Sequence, residues 1–254
     1  MTSRPSGIVT LTTDFGIQDP SVGILKAALL KASEKPKVVD LTHGVEPQDV
    51  AMGAFMLWTA INRFPAGTVH VGIVDARIGP DRQLLAVSAH NQFWLTPDNH
   101  IIGAVLAADP TSEVRSLDLK HLRLQRSAQT MDGRDLLAPT AAWLASGRYG
   151  FSAMGPRVDN TGQRDLVFAG EKRIIYVDRY GNLITNIAGP DWDGRALTCE
   201  GRLLPPLCAD SEAAADQPIA YVGPFGLVEV TLANGNASRQ LGLERGAPIG
   251  LPSE

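Results

Sequence analysis

Cysteine is scarce in this chain: its 254 residues hold only Cys199 and Cys208, without CxxC spacing. Nothing here resembles a secreted disulfide framework, and both are expected to be reduced thiols. Long apolar runs are missing too. None approaches the ~18 residues of a membrane span, and the opening MTSRPSG lacks an apolar signal core, so no membrane partner is expected and a cytoplasmic location follows by default. Charge of one sign is nowhere gathered into blocks, and the net charge is only −4. That argues against a surface that tracks nucleic-acid phosphates and favours a small-molecule ligand. HExxH, GxSxG and the Walker loop are all absent, so metal-hydrolase, serine-hydrolase and P-loop chemistries lack their key parts. There is no internal repeat and no low-complexity segment.

What is present is the composition of a soluble globular protein, 44% hydrophobic and 20% charged, long enough to bury a core. Residues 1–168 alternate β-branched runs with amphipathic stretches, the pattern of an α/β domain on a largely parallel sheet. Gly7 to Thr12 reads as a buried first strand and Lys37 to Leu41 as the second. Ser21 to Ala32 reads as a helix with Val22, Leu25, Leu29 and Leu30 on one face and Ser21 or Asp19 as cap. A helix is expected from Asp49 to Asn62 and a strand from Thr68 to Val74. Leu84 to Ser88 and Gln92 to Thr96 form a hairpin through His90-Asn91, and helices follow at Ile101 to Ala108 and Leu136 to Ser146. Residues 169–254 change to short strands broken by Gly and Pro, a smaller all-β domain with strands at Ile174 to Asp178, Leu183 to Ile187, Ile219 to Val222 and Leu227 to Leu232. Leu204 to Pro218 has the composition of an exposed loop.

In an open parallel sheet, ligands gather beyond the carboxyl ends of the strands. Polar clusters follow predicted strands at Thr13-Asp14-Phe15-Gly16, Asp40-Leu41-Thr42-His43, Asp75 to Arg82, and Pro97-Asp98-Asn99-His100. Asp14 could accept both hydroxyls of a ribose, or could serve as an Asx-turn or helix cap. Asp75 and Arg82, across a Gly79-Pro80 turn, could orient a water or could be an ordinary ion pair. Asp40 with His43 is too small a set to fix zinc, and His43 is expected to satisfy its own loop.

Taken together, the blocks LTTDFGIQD (Leu11 to Asp19), VDLTHGVEPQDV (Val39 to Val50), FPAGTVHVGIVD (Phe64 to Asp75), PDN (Pro97 to Asn99), GRDLLAPTAA (Gly133 to Ala142) and VDRYGNLITNI (Val177 to Ile187) form a collinear series. That series resembles the S-adenosylmethionine hydroxide adenosyltransferase family, related to the fluorinases and chlorinases. The resemblance implies an N-terminal α/β domain, a C-terminal β-barrel domain, and a homotrimer with nucleoside pockets between subunits. It implies hydrolysis of S-adenosylmethionine to adenosine and methionine, with no metal or other cofactor. Asp14 would hold the ribose hydroxyls. Asp178 and Asn182 would contact the methionine end with Tyr180 beside the ligand, and the Phe225 segment would close over adenine. The catalytic group would be Asp75, Arg82 and Asp132.

Four departures mark this chain. The family's triad histidine is replaced by Asp132 in Met131-Asp132-Gly133-Arg134-Asp135. Ala76-Arg77-Ile78-Gly79 stands for Pro-Gly-Val-Gly, His100 for the glycine after PDN, and Gly223-Pro224 for Asn-Ser before Phe225-Gly226. Arg77 could pair with Asp132, or His100 could take the place of the lost imidazole. With an unperturbed pKa near ~3.9, Asp132 is a weaker base than histidine, and a second anion repels hydroxide. Two alternatives follow: a family member that binds the nucleoside without turnover, and a halogenase. The second is disfavoured because the tight Arg82 to Pro97 stretch lacks the fluorinase insertion.

Overall fold

The computed structural model describes residues 4–34, 36–74, 83–127, 131–158, 162–206 and 217–250. The chain divides into two compact units, residues 1–166 and 167–254. The first is built on strands β1 (Ile8–Thr13), β2 (Lys37–Thr42), β3 (Val69–Ile73), β4 (Leu84–Ala89), β5 (Gln92–Pro97) and β6 (Glu113–Ser116). They form one mixed sheet in the order β2-β1-β3-β5-β4-β6. The neighbours from β2 to β5 run parallel, and β4 lies antiparallel to both β5 and β6.

Side chains alternate across this sheet, and helices cover both faces. Val9, Leu11, Val69, Val71, Phe93 and Leu95 meet Leu25 and Leu29 of α1 (Ser21–Ala32) and Leu144 of α4 (Ala138–Ser146) in one buried cluster. The intervening residues carry the opposite face, toward α2 (Val50–Thr59), whose neighbour is the short α3 (Gly103–Ala107). Leu57 of α2 sits so close over Gly72 that an added Cβ would meet its Cδ1 at 2.7 Å. His70 on that face is fully buried, shares a 2.7 Å hydrogen bond with Thr10 Oγ1, and stacks on Trp94 with centroids 4.1 Å apart. Burial pushes its imidazole down to about 3, so it is neutral.

The β4–β5 hairpin turns at His90 and Asn91 with φ of 54° and 59°, the two left-handed residues of a type I′ turn whose twist matches the strands. Helix α2 is capped by Asp49, which accepts the Met52 N–H at 2.9 Å. Two expectations for α1 need correction. Its N-terminus follows Pro20 with no side-chain cap, and Leu30 is 57% exposed. Successive helical residues point about 100° apart, and here Leu29 turns to the core while Leu30 turns to solvent. The chain enters α4 through a π-helical turn, Gly133–Leu137, ahead of the expected helix start. An added Cβ at Gly133 would meet the tip of the Ile73 side chain, Cδ1, at 2.9 Å.

The second unit holds β7 (Ile174–Val177), β8 (Leu183–Ala188), β9 (Leu197–Cys199), β10 (Arg202–Leu204), β11 (Ile219–Val222), β12 (Leu227–Thr231) and the one-turn helix α5 (Ala237–Leu241). Its strands form an antiparallel sheet ordered β11-β12-β8-β7 and a separate β9-β10 hairpin. Isolated bridges Arg173–Pro248, Thr198–Gly250 and Pro206–Ala220 tie the hairpin and the C-terminal stretch to that sheet. Strands β6, β9 and β10, three or four residues each, carry too short an apolar pattern to be read from sequence. Cys199 is a buried free thiol whose Sγ–H is directed at Pro248 O at 2.9 Å. Cys208 lies outside the described residues.

Candidate active site

A cavity of about 210 Å³ opens in the first unit where β1, β3 and β5 end. Its wall includes Asp14 and Phe15 beyond β1, Ile73 of β3, Leu84 at the start of antiparallel β4, and Pro97 of β5. The turn that leads into α4 closes it with Met131, Asp132, Gly133 and Arg134, and Ser21 and Leu25 of α1 complete it. This is the carboxyl edge of the parallel strands, where backbone loops are released from the ladder.

Asp14 is neither an Asx-turn nor a helix cap. Its Oδ2 accepts the Gln48 N–H at 2.9 Å across 34 residues of sequence, and Gln48 takes a left-handed φ of 67° to present it. The same two loops are joined by Gly16 N–H donating to His43 O at 2.8 Å, and by His43 Nδ1 with Thr13 Oγ1 at 2.8 Å. One carboxylate oxygen of Asp14 is thus fixed by the fold while the side chain lines the cavity. Behind this loop, His43 Nε2 lies 3.1 Å from Asp40 Oδ1, and Lys26 Nζ lies 2.6 Å from Asp40 Oδ2. Burial would raise the Asp40 carboxyl, but hydrogen bonds from Lys26 and His43 outweigh it and hold it below its usual value. No grouping of three metal-ligating side chains occurs among the described residues.

Asp132 faces the same cavity and is only 7% exposed. Its carboxylate is gripped by Arg126: Nε donates to Oδ1 at 2.8 Å, and Nη2 reaches Oδ2 at 3.4 Å. Among the described residues the cation beside Asp132 is Arg126, a residue without any motif of its own; Arg77 lies outside the described residues. His100 is not among the cavity's lining residues; its φ of 74° explains why a glycine suits that position, and its Nδ1 faces Arg164 N at 3.4 Å. Asn99 ties the ends of β3 and β5 together by donating from Nδ2 to Val74 O at 2.7 Å. Arg134, also on the cavity wall, holds Asp135 at 2.6 Å. Burial raises the Asp135 carboxyl, but Arg134 and the Ser127 hydroxyl and N–H overcome it and bring it down to about 2. Asp75 and Arg82 lie outside the described residues; in sequence they stand two positions after Ile73 and two before Leu84, both of which line the cavity.

The remaining expected contacts belong to the second unit. Asp178 organises the β7–β8 turn, accepting from Tyr180 N and Asn182 N through Oδ1 at 2.9 Å each and from Asn182 Nδ2 through Oδ2 at 2.8 Å. Asn182 Oδ1 in turn accepts from Thr231 Oγ1 at 2.6 Å. Tyr180 projects from this turn, 75% exposed. Phe225 sits in the β11–β12 turn, closed by Gly226 N–H to Gly223 O at 2.9 Å. Because Leu227 pairs with Ala188 and Val230 with Leu183, the two turns lie at opposite ends of the sheet. Gly223 is explained by the buried Glu229, whose carboxyl occupies the space a Cβ would need.

Residues 9–155 match the family model of the SAM hydroxide adenosyltransferase N-terminal domain, and residues 172–250 that of the C-terminal domain. An (R)-S-adenosyl-L-methionine hydrolase of Thermus thermophilus is 32% identical over 255 residues, covering 96% of this chain and 98% of the relative. A protein of the same name from Methanocaldococcus jannaschii is 33% identical over 185 residues, covering 71% of this chain and 66% of the relative. A crystal structure of an uncharacterized conserved protein from Thermotoga maritima superposes with a TM-score of 0.85 at 24% identity, covering 96% of this chain and 99% of that one, and shares the fold.

Proposed function

The chain belongs to the SAM hydroxide adenosyltransferase family, and from that premise we propose that it hydrolyses S-adenosyl-L-methionine to adenosine and L-methionine. Oxygen of water or hydroxide forms a bond to the ribose 5′-carbon, the C5′–S bond breaks with its electron pair going to sulfur, and one proton is released. The observation that carries this reading is the meeting of Asp14 and Asp132, remote in sequence, in one cavity at the carboxyl ends of the parallel strands. The name of the Thermus thermophilus relative, whose length this chain spans almost entirely, points the same way.

In this proposal Asp14 takes the ribose hydroxyls, its orientation fixed beforehand by the Gln48 N–H. At 210 Å³ the cavity is smaller than the ~300–1,000 Å³ of typical ligand pockets, so it suits the ribose and reacting carbon rather than the whole substrate. Asp178, Asn182, Tyr180 and Phe225 then supply the methionine and adenine contacts, from a neighbouring subunit of a homotrimer. Asp75 and Arg82 activate the water, with Asp132 in the third position. A positive sulfonium and an anionic nucleophile lose charge as they react, so alignment and a dry site are what the protein must provide. The leaving thioether is neutral, and the displacement calls for no cofactor.

A second reading rests on Asp132 itself. Its carboxylate is committed to Arg126, so the chain could bind nucleoside without turning it over. Chromatography of S-adenosylmethionine incubated with the protein separates the two: hydrolysis yields adenosine and methionine in equal amounts. No adenosine above the buffer control, with adenosine binding retained in calorimetry, would sink the hydrolase reading.

A further inference from the structure

A bare carboxylate at Asp132 would put a negative charge on the cavity wall. It would favour the resting sulfonium substrate and repel the incoming hydroxide, both of which slow the displacement. The structure supplies a counterweight. Asp132 is 7% exposed, and the Arg126 guanidinium contacts both of its oxygens, at 2.8 Å and 3.4 Å. Arg126 is not itself part of the cavity wall, and its side chain is 20% exposed. The π-helical turn Gly133–Leu137 begins directly after Asp132 and fixes the backbone that carries it.

We propose that Arg126 is a positioning residue that, from behind the cavity wall, holds Asp132 in a net-neutral pair. This deepens the hydrolase reading and rests on it for the identity of the ligand. A guanidinium fork holds a carboxylate in one plane. The cavity therefore gains a fixed dipole and hydrogen-bond acceptor without gaining net charge.

The test is charge discrimination: the affinity for S-adenosylmethionine divided by that for S-adenosylhomocysteine, which lacks the sulfonium charge. Both are measured by competition at times short against turnover, in the full chain carrying Arg126→Gln, Asp132→Asn, or both. Arg126→Gln should shift the ratio about tenfold toward the sulfonium, and Asp132→Asn about as far the other way. The double variant should return to within about twofold of the parent, and Arg126→Lys should stay near it. Where hydrolysis is measurable, Arg126→Gln should lower kcat without raising KM. Should Arg126→Gln fail to fold in a melting experiment, Asp132→Asn, Arg126→Lys and the double variant still give the comparison. A ratio unmoved by Asp132→Asn, or a double variant as far displaced as a single one, overturns the proposal. Adenosine formation with a fixed ratio removes the pair and leaves the hydrolase. Absence of adenosine with a ratio that moves as stated removes the hydrolase and leaves the pair, and failure to bind either nucleoside removes both.

Discussion

The cavity of the first unit and the β7–β8 turn of the second hold their acidic residues by opposite means. Asp14 is oriented by Gln48, 34 residues away, and shares its cavity with Asp132 from the other end of the domain. Asp178 is oriented by Tyr180 and Asn182, its neighbours in the turn. A carboxylate held by its own turn is placed once that turn forms; one held by a remote loop is placed only when the whole sheet is assembled. Acid sensitivity differs between the units in the same spirit. The first buries a neutral histidine, His70, pushed down to about 3, while the second buries Glu229, whose carboxyl burial pushes up.

The largest test of this contrast is the acid limb of stability. His70 has a folded pKa below its unfolded value near ~6.5, so protonation favours the unfolded state. Its contribution is complete above about pH 6.5 and falls by about 1.4 kcal/mol per pH unit toward pH 3. Glu229 has the opposite sign, because its raised pKa gives stability that is present in acid and lost as pH rises. Denaturant titrations followed at Trp94, which stacks on His70, should show the first unit loosening first as pH falls. Loss of the second unit first would break the contrast.

Next in size is Asp14→Ala, which on the proposed ribose role removes two charge-assisted hydrogen bonds and should weaken adenosine binding about 100-fold in calorimetry. An affinity within a few-fold of the parent would remove Asp14 from the ligand site. The smallest effect is expected for Asp178→Ala, which leaves two N–H groups and an amide to water at an exposed turn. It should cost about 1–2 kcal/mol, with faster amide exchange confined to the second unit. Exchange spreading into the first unit would show that this turn is not a local device.

Much of the architecture was legible because it follows from local rules. The limits of α1 came from hydrophobic periodicity and those of the β4–β5 hairpin from alternation around His90-Asn91. Asp14 could be singled out because an acid after an apolar strand and before glycine sits at a sheet's carboxyl edge. Leu30 was misplaced because periodicity does not decide which of two adjacent leucines faces the sheet. Arg126 carried no signal at all: six residues before Asp132, it has no motif, and only the tertiary structure brings its guanidinium to that carboxylate.

The sequence by itself determined the alternation of strands and helices, the family blocks, and the acids standing at strand ends, since these depend on neighbours along the chain. Tertiary structure decided which acids share a cavity, that Asp132 faces Arg126, and that Phe225 lies at the far end of its sheet from Asp178. The reason is physical: sheet register and the packing of helices onto the sheet set distances between residues remote in sequence, and a carboxylate's chemistry depends on which cation that packing brings within about 3 Å.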